Sequence, residues 1–268
     1  MERGALMAFL EFHYLSKALQ KQVAVNVLLP ERDKAEAGAG ILEDAPYKTL
    51  YLYHGLRSNY TSWIRRSCIE RYAADYNIAV VMPDVARSWY TNTQYGMRYF
   101  DFVADELPEV CRGCFRNMSD KREDNYVAGL SMGGYGAVKV ALQRTDKFCG
   151  CASLSGSLDM TRKGRTETAN VTEWRSIFDY DMEHPEDLEG TEHDLYALTR
   201  RNAEAGLIFP KMYLWCGTED ALIHANRRYR DLLTELGVEH RFEESEGDHS
   251  WKWWDLHVQD ALRYLLTE

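Results

Sequence analysis

Three side chains in this sequence have the types needed to open a carboxylic ester or a similar acyl compound: Ser131, Asp220 and His249. A serine hydroxyl is a poor nucleophile at neutral pH. It needs a base to take its proton, and the base needs a carboxylate to fix its tautomer and to stabilise the imidazolium that forms. Ser131 lies in Gly129-Leu130-Ser131-Met132-Gly133, between the apolar run Tyr126-Val127-Ala128 and the small, apolar stretch Tyr135 to Gln143. A strand, a Gly-x-Ser-x-Gly turn and a helix in that order make a nucleophile elbow. The turn forces the serine into a strained backbone geometry, and the flanking glycines are needed because a Cβ there would strike the neighbouring strand or helix. The hydroxyl is left at a helix N-terminus, whose dipole favours negative charge. The chemistry this predicts is acyl transfer through an acyl-enzyme, normally to water, with no metal or organic cofactor required.

The order along the chain supports that reading. Ser131, Asp220 and His249 each follow a segment of strand character: Tyr126 to Ala128, Lys211 to Cys216, and Val238 to Phe242. Serine, acid, histidine, each just past a strand's C-terminal end, is the order of the α/β-hydrolase fold. Neighbours leave alternatives open. Glu219 could replace Asp220 as the acid. Asp248 adjoins His249, and adjacent residues rarely point the right way. His224 falls on a helix, His240 in a strand, and His257 inside the final helix, so they compete poorly with His249 as base.

An oxyanion needs donors. The strand Thr49 to Tyr53 ends in His54-Gly55-Leu56, where the Gly55 turn aims the Leu56 amide at the site; the Met132 amide supplies the second donor. The His54 ring precedes the serine and reads as structural. Arg87 to Gly96 is a polar, aromatic loop after the apolar run Ile78 to Met82, at the sheet end where ligands bind. Trp89, Tyr90 and Asn92 are its candidate substrate contacts, together with Tyr95, and Trp174 is a candidate pocket wall.

The elements that must hold these residues follow from pattern. Met7 to Tyr14 and Gln22 to Leu29 alternate apolar and polar and predict an antiparallel hairpin; His13 on it reads as an edge residue. Glu31 to Ala45 predicts an exposed loop. Ser62 to Tyr76 has helical periodicity with Ser62 as its cap. Met97 to Phe115 predicts a long helix that Pro108 kinks or restarts near Leu107. Cys149 to Leu154 predicts a short strand, Ala221 to Leu236 a helix stopped by Gly237, Glu243 to Asp248 an acidic loop, and His249 onward a final helix ending near Leu266. Roughly fifty residues, about 158–207, separate two strands, too many for an ordinary connection. They predict a small, partly helical cap inserted in one domain spanning 1–268, with His184 and His193 at the surface.

Composition sets the class. A chain of 268 residues supports one large core. The balance of 32 Lys plus Arg against 42 Asp plus Glu, net -10, disfavours nucleic acid and anionic membrane. No apolar run approaches a membrane span, and Met1 to Leu10 lacks the features of a signal peptide, so a cytoplasmic protein is expected; Met7 offers an alternative start to Met1. Cys111-x-x-Cys114 has no second ligand pair at metal spacing, and the six cysteines read as reduced thiols. Net negative charge and an aromatic pocket point to an uncharged small-molecule acyl substrate.

His54-Gly55-Leu56, the Trp63-bearing helix, Tyr90 to Gly96, Glu106-Leu107-Pro108, Gly129 to Gly136, Gly217-Thr218-Glu219-Asp220, and His249-Ser250-Trp251 through Trp254-Asp255 together resemble the esterase D-like α/β-hydrolases, and most closely the bacterial tributyrin esterase group. Its relatives include S-formylglutathione hydrolases, feruloyl and acetyl-xylan esterases, and mycolyltransferases. The resemblance extends from about Met7 to the end. It implies a mostly parallel sheet with helices on both faces, a triad of Ser131, Asp220 and His249, an oxyanion hole from the Leu56 and Met132 amides, and hydrolysis of short-chain acyl esters from acetyl to butyryl. It also implies that homo-oligomers are common. Feruloyl or acetyl-sugar esterase action on plant-derived oligosaccharides, and thioesterase or acyltransferase chemistry with the same triad, are the alternatives.

Overall fold

The computed structural model describes residues 7–31, 46–161, 171–178 and 188–267. Its centre is an eight-stranded sheet: β1 (Met7–Ser16), β2 (Lys21–Pro30), β3 (Thr49–Tyr53), β4 (Ala79–Pro83), β5 (Asn125–Leu130), β6 (Gly150–Leu154), β7 (Lys211–Gly217) and β8 (His240–Ser245), in the order β1-β2-β4-β3-β5-β6-β7-β8. The hairpin β1–β2 is antiparallel, and β2 meets β4 antiparallel; every other pairing, from β4 across to β8, is parallel. This is the mostly parallel, helix-flanked sheet of an α/β-hydrolase.

The central strands are short, apolar and buried along their whole length, as strands covered on both faces must be. Alternation splits each between two cores. Leu50 and Leu52 of β3 join Trp63, Ile69, Trp254 and Val258 on one face, while Tyr51 and Tyr53 join Tyr135, Val138 and Tyr229 on the other. The first face is covered by α1 (Ser62–Arg66), α2 (Ile69–Tyr76) and α9 (Trp251–Thr267), the second by α5 (Met132–Gln143), α7 (Leu195–Glu204) and α8 (Ile223–Glu235).

The structure departs from the pattern in particular places. Ser62 to Tyr76 is two helices, because Ser67 is extended and the Cys68 amide donates to Asp255 Oδ1 of α9 at 2.8 Å instead of to its own helix. Thr61, not Ser62, precedes the first turn; Ser62 is buried, and its Oγ accepts from the Asn59 amide. The stretch from Met97 becomes α3 (Tyr99–Asp101), a π-helical turn (Phe102–Glu106) and α4 (Leu107–Cys114). Pro108 lacks an N–H and its ring crowds the carbonyl four residues back, and the wider turn just upstream accommodates it. There the Glu106 carboxylate accepts from Ser16 Oγ and the Lys17 and Ala18 amides, which closes the β1–β2 turn.

The last strand is displaced toward the C-terminus. Val238 donates to Leu233 O past the left-handed Gly237 and so belongs to the end of α8. Glu243 and Glu244 lie in β8 rather than in a loop: Tyr213 donates to Glu243, and Arg227 pairs with Glu244. His193 is buried, against the expectation of a surface residue, and packs edge-on against Phe178 of α6 (Val171–Phe178). His184, Met1, residues 32–45 of the expected loop and parts of the expected cap lie outside the described residues. Among the described residues no helix is long and apolar enough to cross a membrane.

Candidate active site

β5 ends at Leu130 and α5 begins at Met132, leaving Ser131 alone between them. Its φ of 54° and ψ of -117° are those of a strained non-glycine residue. The glycines show why the motif is spelled as it is. A Cβ on Gly129 would overlap the Gly133 backbone, and one on Gly133 would sit 2.5 Å from Tyr53 O. Helix and sheet can approach closely enough to expose the serine only where both side chains are absent.

The structure brings the three predicted residues together. His249 Nε2 lies 3.0 Å from Ser131 Oγ, and His249 Nδ1 lies 2.7 Å from Asp220 Oδ2. Each comes from the loop past a different parallel strand: β5, β7 and β8. Asp220 is 2% exposed and its Oδ1 accepts from the Leu222 amide at 2.9 Å. Burial alone would raise its carboxyl, but the hydrogen bond and charge of His249, then the Leu222 amide, outweigh burial and hold it below the ordinary carboxylate value. With an anionic Asp220 accepting at Nδ1, the imidazole keeps its proton there and presents a bare Nε2 to the serine.

The alternatives fall elsewhere. Glu219 accepts from the Gly247 amide at 2.6 Å and from Thr218 Oγ1, so it anchors the loop that carries His249. Asp248 accepts from Ser250 Oγ. His224 is exposed on α8, and His240 bonds the Val238 carbonyl. His257 stacks on Trp215 at 4.1 Å and bonds Asp260.

His54, just past the end of β3, is 1% exposed. The Val85 amide donates to its Nε2 at 3.1 Å, so the ring proton belongs on Nδ1, and Nδ1 donates to Gly55 O at 2.8 Å. Because Nε2 is occupied as an acceptor, Asp84 at 3.6 Å is a neighbour rather than an ion-pair partner. Gly55 O and Leu56 N belong to one trans peptide unit, so a bond that fixes the carbonyl also fixes the opposed N–H. The Ser58 amide donates to the same carbonyl at 3.1 Å. A Cβ on Gly55 would lie 3.5 Å from Ser131 Cβ, which puts this peptide beside Ser131. Met132 is the first residue of α5, where an amide has no carbonyl four residues back to bind.

The residues read as substrate contacts divide. Trp89 and Trp174, both almost fully buried, meet edge-on with ring centroids 5.9 Å apart, and Trp174 packs on the equally buried Phe178, forming one aromatic wall. Tyr90 is fully buried: it stacks on Tyr53 at 4.6 Å and donates its hydroxyl to His54 O at 2.8 Å, so it props the end of β3 from beneath instead of facing a substrate. Asn92 spends its amide on Asp101 Oδ1 and its carbonyl on the Asp101 amide, bracing the loop. Tyr95 is exposed. The Arg87–Glu173 ion pair ties this loop to α6, as does a bond from the Gln94 amide to Ser176 O.

Two contributors escaped the sequence reading. Ser155, left-handed at φ 48° just past β6, accepts from Trp254 Nε1 at 3.1 Å, and Trp254 packs edge-on against the His249 ring. Lys139 is buried in α5, with its amine 5.7 Å from the centroids of the Phe100 and Tyr135 rings. Its signal was present, a lysine inside the otherwise apolar run Ala137 to Leu142.

Fold and site together define a serine hydrolase of the α/β-hydrolase fold that acts on ester bonds. The comparisons with known proteins agree. The chain belongs to the family described as "Putative esterase", whose model matches residues 16–265. It is 32% identical over 267 residues to an acetyl esterase of Caldicellulosiruptor saccharolyticus, covering 97% of this chain and 98% of the relative. Among solved structures it is similar to FphF, a fluorophosphonate-binding serine hydrolase of Staphylococcus aureus, with TM-score 0.88 and 33% identity over 98% of this chain and 99% of the other. It is also similar to the S-formylglutathione hydrolase FrmB of the same organism, with TM-score 0.86 and 33% identity over 98% and 100%. A ferulic acid esterase at 19% identity and TM-score 0.77 shares the fold.

Proposed function

We propose that the protein is a carboxylesterase for short acyl chains, acetyl to butyryl, with Ser131 as nucleophile, His249 as base, Asp220 as its orienting carboxylate, and the Leu56 and Met132 amides as the oxyanion hole. The observation that carries the reading is the continuous hydrogen-bond line from Asp220 Oδ2 through both His249 nitrogens to Ser131 Oγ. In this reading Oγ attacks the ester carbonyl as Nε2 takes its proton. The two amides and the α5 N-terminus hold the tetrahedral oxyanion, and losing one such donor typically costs about 3–4 kcal/mol. Asp220 stabilises the imidazolium, which returns its proton to the departing alkoxide. The His249 side chain is 39% exposed, so a water can take the alcohol's place and repeat the steps on the acyl-enzyme.

The acyl-size assignment is supported by the aromatic wall of Trp89, Trp174 and Phe178 and by an acetyl esterase at 32% identity. A thioester substrate is the second reading, favoured by the 33% identity to an enzyme named for S-formylglutathione, whose acyl group is also small. The six unpaired cysteines fit a reducing cytoplasm as the enzyme's location. The residues about 158–207 are read as a cap on a single domain.

The test is a panel of p-nitrophenyl esters from acetyl to octanoyl, with S-acyl thioesters and methyl ferulate beside it, on the wild type and Ser131→Ala. The expected result is an optimum at two to four carbons that Ser131→Ala abolishes. A preference for octanoyl or ferulate would overturn the acyl assignment, and activity surviving in Ser131→Ala would overturn the site.

A further inference from the structure

Lys139 lies about two turns along α5 from Ser131, 1% exposed, with no paired carboxylate among the described residues. Taking an amine out of water is costly, and a methionine of similar length would fill the same space without that cost. What the amine does is visible in its bonds. Nζ donates to Thr91 Oγ1 at 2.9 Å and reaches His193 Nδ1 at 3.1 Å. The Thr91 hydroxyl in turn donates to Trp89 O at 2.9 Å.

That carbonyl belongs to an unusual turn. Trp89 and Tyr90 have φ of 54° and 52°, two bulky residues in succession in the left-handed region, each a costly conformation that surrounding contacts must impose. The turn carries two loads. Tyr90 stacks on Tyr53 and donates to His54 O, at the strand end whose next peptide bears the Leu56 amide. Trp89 packs edge-on against both Tyr135 and Trp174, the aromatic wall.

We propose that Lys139 is a positioning residue for ester hydrolysis: through Thr91 it locks the left-handed Trp89–Tyr90 turn on which the oxyanion strand end and the acyl wall both rest. The inference depends on the Ser131 site proposed above. His193 is the second anchor of the amine. Phe178 of α6 packs edge-on against its ring, and Tyr135 donates to its carbonyl, so the same lysine ties the elbow helix to the segment beside α6. Burial lowers the amine to about 7, and the imidazole, buried and next to Lys139, is pushed far down, so the pair is held by hydrogen bonds and not by opposite charges.

The experiment compares Lys139→Met, Thr91→Val, Thr91→Ser and the Lys139→Met/Thr91→Val double variant, with active sites counted by fluorophosphonate titration. Because misplacement of catalytic groups by about 1 Å costs about 100-fold, Lys139→Met should lower kcat per titrated site for p-nitrophenyl acetate by roughly 10- to 100-fold with little change in KM. Thr91→Val should give the same loss, Thr91→Ser should retain wild-type kcat, and the double variant should be no worse than either single one. A lysine that merely supports folding would lower the melting temperature and the number of titrated sites while leaving kcat per site unchanged, and that result overturns the proposal. So does a full loss in Lys139→Met with none in Thr91→Val. Should Lys139→Met fail to fold, the Thr91 pair decides alone. Ser131→Ala separates the two levels: if it is inactive while the Lys139 and Thr91 variants are normal, only the positioning role falls; if it is active, the site itself is wrong.

Discussion

Replacing Asp220 by asparagine tests the site at its least forgiving point. The side chains are isosteric, so the carboxamide oxygen of Asp220→Asn can still accept from the Leu222 amide, as Asp220 Oδ1 does at 2.9 Å. The other position changes sign. Where Oδ2 accepts from His249 Nδ1 at 2.7 Å, an amide NH2 offers hydrogens, and a neutral imidazole meets them only by moving its own proton to Nε2. That nitrogen, 3.0 Å from Ser131 Oγ, then donates where it must accept. The fold is kept and the base is lost. A ring held in the wrong tautomer typically costs about 10³–10⁴-fold in kcat, equivalent to about 4–5.5 kcal/mol of barrier. The assay is steady-state hydrolysis of p-nitrophenyl acetate near neutral pH, alongside fluorophosphonate labelling rates, which should fall in parallel, and circular dichroism to establish that the variant is folded. Glu219→Gln is the control: its carboxylate holds the Gly247 amide, and the variant should lose no more than about tenfold. An Asp220→Asn enzyme within about tenfold of wild type, or a larger loss in Glu219→Gln, would refute the assignment of the acid.

Three other outcomes are expected. His54→Ala leaves the Gly55 carbonyl held by the Ser58 amide alone and the Val85 amide buried without its acceptor; kcat should fall by roughly 10- to 100-fold and stability by about 1–3 kcal/mol, read by kinetics and urea melts. Trp174→Leu removes part of the wall formed with Trp89 and should move the chain-length optimum on the ester panel toward longer acyl groups. Lys139 has a depressed folded value of about 7 against 10.5 for the free side chain, so between these values the unfolded chain binds more protons and folding stability rises with pH. The wild type should gain up to about 1.4 kcal/mol per pH unit relative to Lys139→Met across that window, measured by denaturant unfolding at several pH values.

The parts of the molecule that were legible in the sequence are those set by local chemistry. Gly129 and Gly133 announce a turn that only glycines permit, and the buried runs at β3, β4 and β6 have no polar side to confuse the pattern. The order serine, aspartate, histidine was readable because Ser131 and Asp220 each follow such a run and His249 follows a stretch of strand character, although the strand itself, β8, lies farther along than the pattern placed it. What could not be read depends on partners distant in sequence. The break at Ser67–Cys68 exists because Asp255 takes the Cys68 amide. The acidic stretch after Phe242 is a strand because Tyr213 and Arg227 satisfy its carboxylates. Tyr90 and Asn92 sit in the right loop, but their polar groups are engaged by His54 and Asp101, which no spacing rule reveals. Glu219, the alternative acid, is engaged by the Gly247 amide, again a partner distant in sequence.

The polypeptide from Met132 to Asp248, with three further parallel strands, lies between Ser131 and His249. No fragment that stops short of β8 and the loop after it can therefore bring Nε2 to Oγ, since β6 and β7 must be seated before β8 can deliver its loop. Reaction of Ser131 with a fluorophosphonate is then a clock for assembly as well as a test of chemistry. In a refolding experiment it should begin only when the farthest parallel strand has docked, after the helical signal has recovered, and it would report the docking of β8 in a crude mixture where no spectroscopic probe could.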